Sequence, residues 1–171
     1  ASNKKVTLTE EQLKQLYDYP ITGTELQVRK RTEIRDLFVL QCLVGQRVGD
    51  MQKFFNGDNE KDEEEDTISI IQQKTKARAI IPLTPLAKEI ISKYQNTELK
   101  YYKPSNSNLN AELRIIAEEA GLNIPITFED KDGKQVKPLF ELVHTHTARH
   151  TFITIMCRRD IPKETIIIAT G

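Results

Sequence analysis

The chain has 171 residues, with 25 Lys or Arg balancing 25 Asp or Glu, so its formal net charge is zero. Its longest apolar stretches, residues 37–44 and 166–169, fall far short of the roughly 20 residues a membrane-spanning helix needs. Residues 1–5 (Ala-Ser-Asn-Lys-Lys) have no apolar core behind them and are not expected to form a signal peptide.

With 38% hydrophobic and 29% charged residues, the composition is that of a soluble, helix-rich globule, and the length suits one domain. A cytoplasmic protein is the default expectation. The two cysteines, Cys42 and Cys157, both sit inside apolar helical patterns and are expected to be buried free thiols. The neutral total hides an asymmetry. Residues 58–66 read DNEKDEEED and carry −6, which leaves +6 on the rest of the chain. Neutrality therefore does not argue against a polyanionic partner; it makes any positive surface local. The acidic run itself reads as a solvated loop.

In chain order, Thr9 with Gln12 three residues later forms a capping-box signal for a first helix. Gly23-Thr24-Glu25 opens a second, over residues 26–44, whose late part is apolar nearly all round and so central and buried. Gly45 ends it. A short helix is expected over residues 48–54, with Met51 and Phe54 or Phe55 facing inward. Two β-type runs, residues 67–73 and 79–83, flank Lys74-Thr75-Lys76-Ala77-Arg78 and predict an antiparallel hairpin with a basic turn. Pro85 starts a helix, Ser105 or Ser107 another that stops at Gly121, and residues 130–133 (Asp-Lys-Asp-Gly) form a turn that suits a second hairpin. Residues 147–159 carry Phe152, Ile155 and Met156 inward, residues 160–162 break the helix, and residues 163–170 resume it. The fold class is thus mainly α with a small antiparallel β-sheet (α+β).

Three clusters carry chemistry. In Gly45-Gln46-Arg47-Val48-Gly49-Asp50, an arginine just past a helix-ending glycine suits a phosphate; the plainer alternative is an ion pair with Asp50 or the acidic run. Lys74, on the hairpin, can reach a phosphate or leaving oxygen, or can be the exposed lysine that hairpin turns favour. In His144-Thr145-His146-Thr147-Ala148-Arg149-His150, His146 and Arg149 share a helix face with His150 beside them. An arginine that neutralises non-bridging oxygens beside a histidine that moves a proton is what phosphoryl transfer needs. Against this stand a metal site on His146 and His150, which lacks a third ligand and the glutamate of a metalloprotease helix, and a satisfied core histidine at His150.

Taken in order, helix–G-x-R-x-x-D, then strand–K-T-x-x-x–strand ending in I-P-L, then H-x-x-R-H-T-F, the chain from Leu8 onward resembles the catalytic domain of tyrosine recombinases, the phage-integrase family. It is closest to the integrases of conjugative and mobilisable transposons. The resemblance implies that Arg47 and Arg149 clamp the scissile phosphate, that Lys74 is the general acid for the departing 5′ oxygen, and that His146 is the general acid/base. It makes Asp50 a support of the first arginine and His150 a brace of the site. Thr75, Lys76 and Arg78 are expected to contact DNA. The implied partner is duplex DNA at recombination sites, with a homotetramer assembled on it by the full-length protein in the bacterial nucleoid. No cofactor and no metal is implied.

Two departures accompany the likeness. The run Ile168-Ala169-Thr170-Gly171 matches the lead-in to the family's later histidine or tryptophan and its nucleophilic tyrosine, both of which would lie beyond Gly171. None of Tyr17, Tyr19, Tyr94, Tyr101 or Tyr102 matches that tyrosine. The expectation is a catalytic-domain fragment over residues 1–171, with residues 1–6 flexible, the N-terminal DNA-clamping domain and the nucleophile segment missing, and the fragment itself inactive and monomeric. The second departure is the acidic insertion. Two other readings keep the constellation: a type IB topoisomerase-like enzyme, and a non-catalytic DNA-binding regulator that retains the fold.

Overall fold

A computed structural model describes residues 6–171. The flexible start expected at residues 1–6 lies outside these residues except for Val6, which packs against the core. At the centre is α2 (Glu25–Val44), begun by a Thr24–Gln27 capping box and ended by Gly45 in the left-handed region. Residues 33–44 are all buried. A helix buried all round must be surrounded, and α1 (Glu10–Asp18), α3 (Pro85–Lys93), α4 (Leu109–Glu119) and α5 (Thr147–Arg158) pack on it. Thr9 and Gln12 close the capping box of α1. Thr84 caps α3, with Pro85 at its first position, where a missing N–H costs nothing. No helix among the described residues is long and apolar enough to cross a membrane.

Several elements differ from expectation for identifiable reasons. The short helix expected over residues 48–54 is present, as a 3₁₀ helix over Val48–Phe54, with Met51, Phe54 and Phe55 all buried. Helix α4 starts at Leu109, later than Ser105 or Ser107. Asn106 holds the preceding residues in a turn, its Nδ2 donating to the Tyr101 carbonyl and its Oδ1 accepting the Asn108 N–H, both at 3.0 Å. Cys42 is buried, but Cys157 is exposed. In α5 the buried positions are Thr147, Ala148, Thr151, Phe152, Ile155 and Met156, a helical stripe that turns residue 157 outward.

The acidic run is only partly a loop. Its start forms an edge strand, β1 (Glu60–Asp62), paired with β2 (Thr67–Ile71), which pairs in turn with β3 (Arg78–Pro82). Glu60 reaches across the sheet to Arg78 at 3.1 Å. Asp58 precedes β1 and lines a groove with Gln73 and Lys76, whereas Glu63, Glu64, Glu65 and Asp66 form the turn from β1 to β2, at the end of β2 opposite the lysine hairpin. Five residues of strand at about 3.3 Å each place that turn roughly 16 Å from the hairpin, beyond a Debye length at physiological salt. A second hairpin, β4 (Pro125–Asp130) with β5 (Gly133–Pro138), turns at residues 131–132. After it, α5 and α6 (Lys163–Thr170) complete the chain, and α6 packs against β3.

Far from the sheet, one carboxylate joins three helices. Asp36 is fully buried. It accepts Arg35 Nε at 2.6 Å, Lys93 Nζ at 2.7 Å and the Tyr94 hydroxyl at 2.6 Å. Arg35 passes the connection on by donating to the Leu16 and Tyr19 carbonyls at the end of α1, at 3.2 and 2.7 Å. Burial, then the charge of Asp36, pushes the Tyr94 phenol well above its usual range. Removing one partner of a buried charge group strands the others, a loss of about 3–5 kcal/mol. Asp36→Ala is therefore expected to destabilise the fold by that order in urea unfolding, whereas Glu25→Ala, at an exposed pair, changes it by under about 1 kcal/mol.

Candidate functional site

Two short connections and the start of α5 converge on one cleft of about 820 Å³. The first connection follows Gly45, whose φ of +70° leaves space that the Phe152 ring fills; a Cβ there would lie 2.5 Å from Phe152 Cδ2. This close approach sets the start of the 3₁₀ helix beside α5. Arg47 leaves that turn into the cleft, and its Nη1 is buried with no hydrogen-bond partner among the described residues. The expected alternative, an ion pair with Asp50, does not describe Asp50's bonds. That carboxylate accepts Lys53 Nζ at 3.1 Å and the Gln73 N–H at 3.0 Å. Asp50 therefore holds the root of the lysine hairpin.

The hairpin loop comprises residues 73–76. It is closed by the Gln72 N–H on the Ala77 carbonyl at 2.8 Å and the Lys76 N–H on the Gln72 carbonyl at 3.0 Å, with Lys76 at φ +61°. Gln73 and Lys74 line the cleft; Thr75, Lys76 and Arg78 do not. Thr75 is bonded back to Gln72 and Ala77. Arg78 lies within β3 rather than in the turn, and binds Glu60 and Ser69 Oγ at 3.1 and 3.2 Å.

His146 immediately precedes α5, Arg149 sits in its first turn, and His150 follows; all three line the cleft. Arg149 donates from Nη2 to the Thr170 carbonyl at 2.8 Å and, at the longer 3.4 Å, from Nε to the Gly45 carbonyl. Burial first, and then the charge of Arg47, pushes the Arg149 pKa below its usual value. Two guanidinium groups thus repel each other across a partly dry space, and an anion between them would relieve both. His150 is half-buried in the wall. Among the described residues, no group of three or more His, Cys, Asp or Glu is placed to hold a metal.

The opposite wall has no counterpart in the sequence reading. Lys103, Asn106 and Asn110 complete the cleft. They are placed by the buried Glu33, whose carboxylate accepts the N–H groups of Lys100, Tyr101 and Tyr102 at 2.5–3.1 Å. Asn110 Oδ1 accepts the Thr145 N–H at 2.9 Å and so links this wall to the histidine cluster. A second open groove shares Lys103 and Pro104 with the cleft and is lined further by Gln52, Asn56, Asn96 and Ser105. No tyrosine lines the cleft itself. The hydroxyls of Tyr19, Tyr94 and Tyr102 are bonded to Glu119, Asp36 and Gln41.

His144 was not singled out by sequence. Its Nδ1 accepts the His146 N–H at 3.1 Å, and its carbonyl accepts the N–H and hydroxyl of Thr147 at 3.0 and 2.8 Å. Burial, then His146 and Arg114, lowers its pKa. A folded-state pKa below the unfolded value of about 6.5 means a contribution to stability that is present above pH ~6.5 and lost as pH falls toward the folded value. Unfolding free energy is expected to drop as pH falls below about 6.5, and His144→Asn to flatten that part of the profile. Identical profiles for the two proteins in denaturant titrations would remove His144 from this role.

A scan of protein-family models and a search of characterised proteins found no match to the chain. Among solved structures, the crystal structure of XerA recombinase is similar, with a TM-score of 0.59 and 19% identity over 100% of this chain. The chain spans 57% of the length of that structure. The fold, mainly helical with a small antiparallel sheet, is therefore shared with that recombinase structure over the whole of this chain.

Proposed function

We propose that this chain is the phosphate-holding part of a DNA strand-cleaving and rejoining enzyme of the tyrosine recombinase class, acting in integration or excision of a mobile element of the conjugative or mobilisable transposon kind. The observation that carries the reading is the convergence of Arg47, Arg149, Lys74 and His146 on one cleft, with a buried guanidinium nitrogen of Arg47 left unpaired. An anionic oxygen is what such a nitrogen lacks. A second groove that shares Lys103 with the cleft suits a polymer of phosphates better than a small anion.

In this mechanism a tyrosine supplied from beyond Gly171 attacks a backbone phosphorus. Its oxygen bonds phosphorus as the bond to O5′ breaks; His146 takes the tyrosine proton and Lys74 gives one to O5′. The product is a 3′-phosphotyrosyl link and a free 5′ hydroxyl, and attack by a 5′ hydroxyl of a partner strand reverses the step. The arginines hold the non-bridging oxygens as charge builds on them, so that positioning and charge supply the catalysis. The full-length protein acts as a tetramer on paired DNA sites.

Covalent trapping of the full-length protein on nicked duplex DNA tests this. Arg47→Ala and Arg149→Ala are each expected to lower trapping on the order of 10²- to 10³-fold while retaining much of the DNA affinity. Near-normal trapping by Arg149→Ala defeats the assignment. Duplex binding without any trapping by the unmodified protein would favour a DNA-binding regulator. For the chain alone, four cations on phosphates give a log–log salt slope of about −3 to −4, and Lys103→Ala is expected to reduce it by about 1. Salt-independent binding would contradict a phosphate-contacting cleft.

A further inference from the structure

Three glutamines lie behind the cleft with almost no solvent access: Gln41, Gln46 and Gln72 are 3%, 1% and 0% exposed. Their side chains form one continuous set of hydrogen bonds. The Tyr102 hydroxyl donates to Gln41 Oε1, and Gln41 Nε2 donates to the Gln46 carbonyl at 2.8 Å. Gln46 Nε2 donates to the carbonyls of Val44 and Ala169 at 2.9 and 2.7 Å. Gln72 Nε2 donates to Gln46 Oε1 at 2.9 Å and to the Thr170 carbonyl at 2.8 Å. Finally, Thr75 Oγ1 donates to Gln72 Oε1 at 2.6 Å.

Apolar side chains of the same volume would fill this space without desolvating an amide. What a satisfied buried network adds is a single geometry, because each displaced group strands its partners. As a whole the network joins separate parts of the chain: the Lys103 wall, α2, the Arg47 turn, the hairpin and the end of α6. Gln72 occupies the decisive place. Its backbone closes the Lys74 loop through Ala77 and Lys76, while its side chain holds α6. The Thr170 carbonyl that it binds also accepts Arg149 Nη2 at 2.8 Å. The contact is close enough that a Cβ on Gly171, at φ +89°, would lie 2.2 Å from Gln72 Oε1.

We infer that Gln72 is a positioning residue that makes the seat of Lys74 depend on the docking of the α6 terminus. One carbonyl, that of Thr170, holds Gln72 and Arg149 together, so lysine and arginine address the same phosphate while α6 is in place. Withdrawing the end of α6 releases the hairpin. The catalytic consequence rests on the cleavage chemistry proposed above; the structural coupling does not.

Two measurements on the full-length protein separate these. In hydrogen exchange, Gln72→Leu is expected to speed the Lys76 amide and residues 169–171 by about tenfold or more, with α1 and α4 unchanged. Thr75→Val, an exposed change that leaves the core intact, is expected to speed the hairpin in the same direction, and it decides the matter should Gln72→Leu fail to fold. Unchanged hairpin exchange in both variants, or a uniform increase along the chain, overturns the coupling. In cleavage, Gln72→Leu is expected to be slowed on the order of 10- to 100-fold on ordinary duplex, as a misplaced general acid predicts. A duplex with sulfur in place of the bridging 5′ oxygen loses its leaving group as a thiolate, without a proton from Lys74, and is expected to bring the variant within about threefold of the unmodified protein. Equal slowing on both substrates overturns the positioning role. An unmodified protein that cleaves neither substrate refutes the cleavage reading instead, and leaves exchange to judge the coupling.

Discussion

Where α2 ends, the backbone turns left-handed at Gly45 and the Phe152 ring fills the space that any side chain would take. Much of the molecule depends on that contact. It fixes the crossing of the central helix with α5, and it places the two arginines, one just after the glycine and one just before the phenylalanine, on the same cleft. Neither guanidinium needs a long flexible reach. Their relation is set by two elements packed rigidly through buried residues, which is the arrangement that favours precise positioning of a bound phosphate.

Around that pair the site is completed by polar groups drawn from the interior. Glu33 gathers three successive amides to shape the Lys103 wall, Asp50 holds the root of the hairpin, and the glutamines tie both to α6. Such buried polar groups add little net stability but penalise alternative arrangements. Asp36 uses the same chemistry on the other side of α2, where it unites α1, α2 and α3 away from the cleft. One helix thus carries structural charge on its middle turns and the floor of the cleft on its last ones.

Most helices could be read from the sequence because their signals are local: the Thr9 and Thr24 capping boxes, Pro85 after Thr84, and the apolar run that ends at Gly45. The cleft residues Arg47, Lys74, His146, Arg149 and His150 also stood out, since each belongs to a compact cluster. What escaped was non-local. Strand β1 consists of charged residues with poor strand propensity and forms because the edge of β2 and the charge of Arg78 supply its partners. Arg78 looked like a turn residue until the Gln72–Ala77 closure placed it in β3. Lys103 belongs to a polar loop without periodicity and becomes a wall because Glu33, 67 residues before Lys100, collects its amides. The three glutamines look like ordinary polar residues until their neighbours in space are known.

The acidic edge strand serves a purpose unrelated to phosphate. An open sheet edge is a template for another copy's strand, and β2 carries the buried Ile68 and Ile70 beside that edge. By occupying it with Glu60, Lys61 and Asp62, the chain presents alternating charge where a bare hydrogen-bonding row would otherwise invite stacking. The opposite border lies against α6. The acidic segment thereby covers with charge the edge that a second copy's strand would otherwise use.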